Sequence, residues 1–183
     1  MPTQQQATIE DLYRVPEKGK AELVNGALVI MQATGDYPAR AGGSIYSSLR
    51  QYERRTKSGY AYPDNAGFLV DLPDRESFSP DAAFFTGQRT GMKFLNGAPI
   101  FAVEVRSDGD YGPKAEKELA DKRLDYFAAG TLVVWDVDLL SMDVINVYRA
   151  SDPTAPTVFR RGEIASAEPA LPGWTFPVDD LFD

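Results

Sequence analysis

At 183 residues and 20.1 kDa the chain has room for a single core, and its 43% hydrophobic and 25% charged residues are the composition of a globular domain. It contains no Cys and no His, which excludes disulfides, thiolate zinc sites, iron–sulfur clusters, Ser-His-Asp triads and imidazole bases. Chemistry then falls to carboxylates, lysines, hydroxyls and a cation that takes oxygen ligands, and a net charge of -8 argues against a general nucleic-acid coat while leaving room for a local basic groove.

No run approaches the ~18 apolar residues that a membrane helix needs, and the first residues lack a basic stretch leading into an apolar one, so a cytoplasmic protein without membrane association is expected. Thr8 to Val15 reads as a short helix capped by Thr8, with Asp11 in its first turn and Pro16 as its stop. After a charged loop, AELVNGALVIM sets Asn25 and Gly26 between two apolar stretches, which predicts a hairpin with Glu22 on its first strand. From Pro38 to Lys57, Ile45, Leu49 and Tyr52 fall at helical spacing beside Arg50, Glu53, Arg54, Arg55 and Lys57, the most basic segment.

Three strand-like runs follow, Ala66 to Leu72, Asp81 to Thr86 and Ile100 to Arg106, separated by the turn-rich stretches PDRESFSP and GQRTGMKFLNGAP. Lys114 to Ala129 reads as a second long helix, begun near Pro113 and stopped by Gly130. TLVVWDVDLL and MDVINVYR then look like a buried strand and its neighbour. The tail from Ser151 is rich in Pro, Ala and Gly and closes on LPGWTFPVDDLF, expected to pack against the sheet, and there is no internal repeat.

Strand alternation puts Ile100, Ala102, Glu104 and Arg106 on one face of IFAVEVR and Phe101, Val103 and Val105 on the other. A carboxylate amid so apolar a strand is costly unless paired or metal-bound, and the plainest partner is Arg106 on the same face. In the second helix Ala115, Leu119, Lys122, Tyr126 and Ala129 form one stripe, with Glu116, Lys117, Asp121 and Asp125 turned away, so Lys122 points inward. Such a lysine either snorkels to the edge or aims its ammonium at carboxylates or a phosphate. Asp81 follows Pro80 directly before AAFF; alone this is an ordinary strand start. Together, two carboxylates on neighbouring strands can hold a hard divalent cation, and a lysine beside them can orient a water or help deprotonate it.

This combination resembles the PD-(D/E)xK nuclease superfamily and, more closely, the Uma2 family of endonucleases, along nearly the whole chain: ELVNG at Glu22, SPDAAF at Asp81, FAVEVRS at Glu104, KRLDYFAAGTLVVWDVD from Lys122, and LPGWTFPVDDLF. The resemblance implies a single α+β domain over residues 1–183, a restriction endonuclease-like mixed sheet flanked by helices. It implies Asp81 and Glu104 as ligands of Mg2+ or Mn2+, Lys122 as the catalytic lysine carried on the helix, Glu22 as an outer or second-metal ligand, DNA as substrate, and a dimer. One departure is Arg106, two positions after Glu104, where the wider superfamily keeps its lysine; a guanidinium is no base near neutral pH and is left to bind phosphate, as are Arg54 and Arg55 on the basic helix. The rival expectation is a nuclease fold without catalysis that binds a protein partner, marked by Arg106 folded onto Glu104. A carboxylate-pair glycosidase fits worst, since the inward lysine has no natural role there.

Overall fold

The computed structural model describes residues 6–15 and 19–183, so the expected stop at Pro16 lies outside the described residues. Helix α1 (Ile9–Tyr13) has Thr8 as its cap, with Asp11 returning the contact to the Thr8 backbone in a capping box. Strands β1 (Lys20–Val24) and β2 (Ala27–Met31) form the expected hairpin, and Asn25 and Gly26 both take positive φ in its turn. Helix α2 (Asp36–Thr56) buries Ala41, Ile45, Leu49 and Tyr52. Then come β3 (Tyr60–Pro63), β4 (Phe68–Leu72), β5 (Arg75–Phe78), β6 (Ala82–Phe85), β7 (Leu95–Asn96) and β8 (Phe101–Val105). Helix α3 (Pro113–Ala128) leads to β9 (Val133–Val137), β10 (Ile145–Arg149) and β11 (Asp152–Phe159), and the chain closes with β12 (Ile164–Ser166), β13 (Thr175–Pro177) and a 3-10 turn at Val178–Leu181.

The strands form a six-stranded mixed sheet in the order β11-β10-β9-β8-β6-β3 and a five-stranded one in the order β2-β1-β5-β4-β7, with β12 and β13 paired separately. β8 and β9 run parallel at the centre of the larger sheet, joined through α3, which is why both read as nearly unbroken apolar strands. One face of this sheet, with Phe101, Val103, Val105, Trp135 and Val137, packs on α2 and the C-terminal segment; there Trp135 meets Trp174 and Phe101 at ring-centre distances of 5.2 Å each. The other face, with Ala83, Phe85, Ala102 and Val134, packs on Tyr126 of α3 and on Phe68 and Phe78 of the smaller sheet. Helix α3 is thinly anchored, since Tyr126, stacked on Phe78, is its one buried residue. Among the described residues no helix is long and apolar enough to cross a membrane.

The expected α+β class, the central mixed sheet, the N-terminal hairpin and the helix positions agree with the structure; the second, smaller sheet was not foreseen. The run read as Ala66 to Leu72 supplies β4 of the smaller sheet, while β6 and β8 belong to the larger. PDRESFSP is not a loop: Pro73 and Asp74 make a tight turn, and β5 pairs back on β4. β3, β7 and the strands of the tail were likewise unread.

Candidate active site

On antiparallel β6 and β8, Ala82 opposes Val103, so Asp81 continues the register opposite Glu104; the Asp81 N–H donates to the Val103 carbonyl at 3.0 Å, and the Val105 N–H donates to Asp81 Oδ2 at 2.7 Å. The same logic extends the row. Pro63 opposes Ala82, which sets Asp64 beside Asp81, and Glu104 opposes Asp136 on β9. Asp64, Asp81, Glu104 and Asp136 therefore stand in one row across four adjacent strands, on the face that looks toward α3. Neighbouring Cβ atoms in such a row are about 5 Å apart, and like charges at that spacing repel unless cations sit between them.

Four cations do so. Lys20 Nζ lies 2.9 Å from Asp81 Oδ1 and 2.7 Å from Asp64 Oδ1. Lys122 Nζ lies 2.9 Å from Glu104 Oε1 and 2.9 Å from Glu22 Oε1. Asp136 is held by Arg106, through Nε and Nη2 at 2.8 Å each, and by Arg123 at 3.5 Å, with the Arg123 guanidinium stacked 3.9 Å over Tyr148. Glu22 also accepts from Arg75 Nη1 at 2.7 Å and from the Ser79 N–H at 2.8 Å, and Arg75 Nε reaches Asp125 at 2.8 Å. The Tyr126 hydroxyl donates to Glu104 Oε1 at 2.6 Å, while Glu104 Oε2 takes no hydrogen bond from the described residues.

The electrostatics separate the groups. Burial raises the Glu104 pKa, and Asp81 and Glu22 add to that against the pull of Lys122 and Lys20. Burial works the same way on Glu22, but Lys122 and Arg75 more than offset it, and its pKa is lowered. Burial disfavours the Lys122 ammonium, yet Glu104 and Glu22 prevail and hold its pKa above the usual lysine range. Both acids thus favour the ammonium form of Lys122. Around the Asp81–Glu104 pair, the carboxylates of Asp64, Asp81, Glu104, Glu22 and Asp125 face the three cations Lys20, Lys122 and Arg75, leaving a deficit of two charges. The neighbouring group of Asp136 and Glu116 with Arg106 and Arg123 is balanced.

The structure therefore brings Asp81, Glu104, Lys122 and Glu22 together at one end of an open cleft of about 1330 Å³. The expected Glu104–Arg106 pair does not form, because Asp136, one strand over, offers Arg106 both carboxylate oxygens and Glu116 takes its outer edge. Arg106 lines the cleft with each guanidinium nitrogen engaged by Asp136 or Glu116, which leaves one N–H of Nη1 free for a phosphate. Arg54 and Arg55 lie near the far end of α2, whose first turn reaches the cleft at Tyr37; 17 residues of helix separate Tyr37 from Arg54, about 26 Å at ~1.5 Å per residue. They are not brought to the carboxylates. Asp125, expected to face away, reaches Arg75.

Lys20, Asp64, Arg75 and Asp136 escaped the sequence. Lys20 and Glu22 share a face by strand alternation, a signal lost by starting the strand at Ala21. Asp136 lies between Trp135 and Val137 on an apolar strand, the same anomaly that singled out Glu104. Arg75 had no signal so long as its strand read as a turn.

The Uma2 family, described as "Putative restriction endonuclease", matches residues 8–179. A crystal structure from Anabaena variabilis, described as "a putative nuclease belonging to DUF820", superposes with a TM-score of 0.75 at 16% sequence identity, covering 96% of this chain and 97% of that one. No curated protein matches the chain.

Proposed function

The chain belongs to the Uma2 family, a nuclease-like family, and from that membership and the opposed pair Asp81 and Glu104 we propose that it is a metal-dependent endonuclease hydrolysing phosphodiester bonds of DNA. The observation that carries this reading is the deficit of two charges around that pair, the charge of one divalent cation.

The donor set fits Mg2+ or Mn2+. All of the side chains are hard oxygen donors, and such ions are commonly held by one or two carboxylates and completed by water and substrate phosphate. That agrees with the absence, among the described residues, of any group of three or more acids placed to hold a metal by themselves. Asp81 and Glu104 would hold the ion, through oxygens that now contact Lys20 and Lys122 or, in Glu104 Oε2, take no hydrogen bond. When bound, the cation supplies Lewis-acid polarisation of a phosphoryl oxygen.

The chain's own residues supply the rest. The backbone N–H of Val105 fixes the Asp81 carboxylate, and the Tyr126 hydroxyl fixes that of Glu104. Lys122, whose ammonium form Glu104 and Glu22 favour, serves as a positive charge and hydrogen-bond donor toward charge building on phosphate. Glu22 holds Lys122 and Arg75 and makes no claim on the cation.

The test is Mn2+ titration followed by thermal unfolding, beside cleavage of supercoiled plasmid. The wild type should gain stability and nick DNA, and Asp81→Asn and Glu104→Gln should each lose both effects while staying folded. Stabilisation and nicking that survive in both variants would remove this pair from the reading.

A further inference from the structure

Asp81 presents a cation with an asymmetric pair of oxygens. Oδ2 accepts from a backbone N–H that cannot move away, which favours Oδ1 as the oxygen that a metal would take, and Oδ1 is in contact with Lys20. Binding at Asp81 is thus an exchange of one cation for another. An ammonium expelled from a carboxylate into a partly buried place is costly unless another acid receives it. Lys20 has one: the same Nζ is already 2.7 Å from Asp64, half-exposed at the end of β3 and held in place by its own contact to the Asn65 N–H at 2.7 Å. Among the described residues Asp64 contacts no second cation, whereas Glu22, the corresponding acid beside Lys122, is also bound to Arg75 and Ser79.

Resting on the reading above, we propose that Lys20 is the displaceable counterion of the site, shared between Asp81 and Asp64, and that a divalent cation loads by driving its ammonium off Asp81 onto Asp64. Lys20 then acts as a positioning residue. In the unloaded protein it screens Asp81 from Glu104, and it sets the cation affinity by competing for Oδ1. Asp64 ligates nothing; its task is to make Lys20's departure cheap.

Removing the competitor and removing the receiving acid have opposite effects. Lys20→Met, which keeps the aliphatic stem, should tighten Mn2+ binding by about tenfold, equivalent to ~1.4 kcal/mol. Asp64→Asn strands Lys20 on Asp81 and should weaken binding several-fold. A plain change of net charge has these same signs, so the decisive variant is the double one. If charge alone matters, the two changes cancel and Lys20→Met with Asp64→Asn binds like wild type. If Asp64 acts only through Lys20, its loss is silent once Lys20 is gone, and the double variant keeps the tightened affinity of Lys20→Met.

The experiment is calorimetric titration of Mn2+ alone into the four proteins at about 0.15 M ionic strength, where the field of distant charges is largely screened. Metal-free thermal unfolding establishes that each is folded, and Lys20→Gln replaces Lys20→Met should the latter not fold. Tightened binding in both the single Lys20 variant and the double variant supports the exchange, including the case in which wild type is too weak to measure. Unchanged or weaker binding in the Lys20 variant, or a double variant equal to wild type, overturns it while leaving the metal reading intact. No binding in any of the four overturns the metal reading and the exchange with it.

Discussion

Glu22 carries three buried commitments, to Arg75, Lys122 and the Ser79 N–H, at 3% exposure. Replacing it with alanine leaves two cations unpaired, so Glu22→Ala is expected to cost about 3–5 kcal/mol in urea denaturation, far more than an exposed ion pair. A loss below ~1 kcal/mol would mean that Arg75 and Lys122 find other acceptors. The two central acids also oppose each other in pH dependence. Glu22, lowered by Lys122 and Arg75 against burial, gives stability that is present above the ordinary carboxylate value and is lost as pH falls through its lowered one. Glu104, raised by burial, binds its proton more tightly in the folded state, so its contribution declines as pH rises from the ordinary value to the raised one. In Glu104→Gln the decline should disappear from a pH series of unfolding free energies while the acid-side loss stays. Mn2+ affinity in the wild type should fall with pH across the same window, because a cation and a proton compete for Glu104.

Among the elements, β3 is the edge strand of the larger sheet and carries Asp64 just past its end, so its seating matters to the site. Gly59 precedes it, and a Cβ there would come 2.6 Å from both the Phe84 ring and the Phe85 carbonyl oxygen. Gly59→Ala should therefore destabilise by about 1–3 kcal/mol in thermal unfolding, since a backbone oxygen cannot step aside. Elements were legible in the sequence where one periodicity dominated: the hairpin turn at Asn25 and Gly26, the stripe of α2, and the apolar runs of β8 and β9. They were hidden where a strand faced polar ground. In β5, Arg75 and Ser77 are buried because one serves Glu22 and the hydroxyl of the other accepts from the Leu23 N–H, and an inward face of Arg and Ser mimics a loop. In β11, Pro153 and Pro156 are tolerated because the strand is an edge. Of the site, the acids betrayed by apolar neighbours were readable. Among the cations Lys122 was readable from the inward stripe of its helix, whereas Lys20 and Arg75 were not, because which acid each pairs with depends on the cross-strand register, and sequence does not fix it.

Across the whole molecule the charge is distributed awkwardly for a nuclease. Among the described residues, ten carboxylates and four basic side chains line the cleft, and each of those four bases, Lys20, Arg75, Arg106 and Lys122, is already engaged with an acid. A DNA backbone approaching this surface needs divalent cations to offset repulsion. The bases of α2 belong to a different part of the encounter. Gly42 is the residue of α2 that lies against Asp81, so if a duplex leaves the cleft along α2, Arg54 and Arg55 meet it about 18 Å, or about five base pairs, from the site at ~3.4 Å per pair. Arg54→Ala with Arg55→Ala should then lower the salt slope of binding for duplexes of about 20 base pairs and leave it unchanged for duplexes of about six; equal slopes at both lengths would remove α2 from the contact.

The chain's two tryptophans lie in the single aromatic cluster on the reverse face of the larger sheet, Trp135 one residue before the row of acids and Trp174 beside it. Their emission consequently has one origin, shielded from solvent and separated from the carboxylates by the thickness of a β-sheet. It should stay silent while Mn2+ fills the cleft and shift to the red only when the core opens, so the protein's own fluorescence distinguishes an empty site from a lost fold.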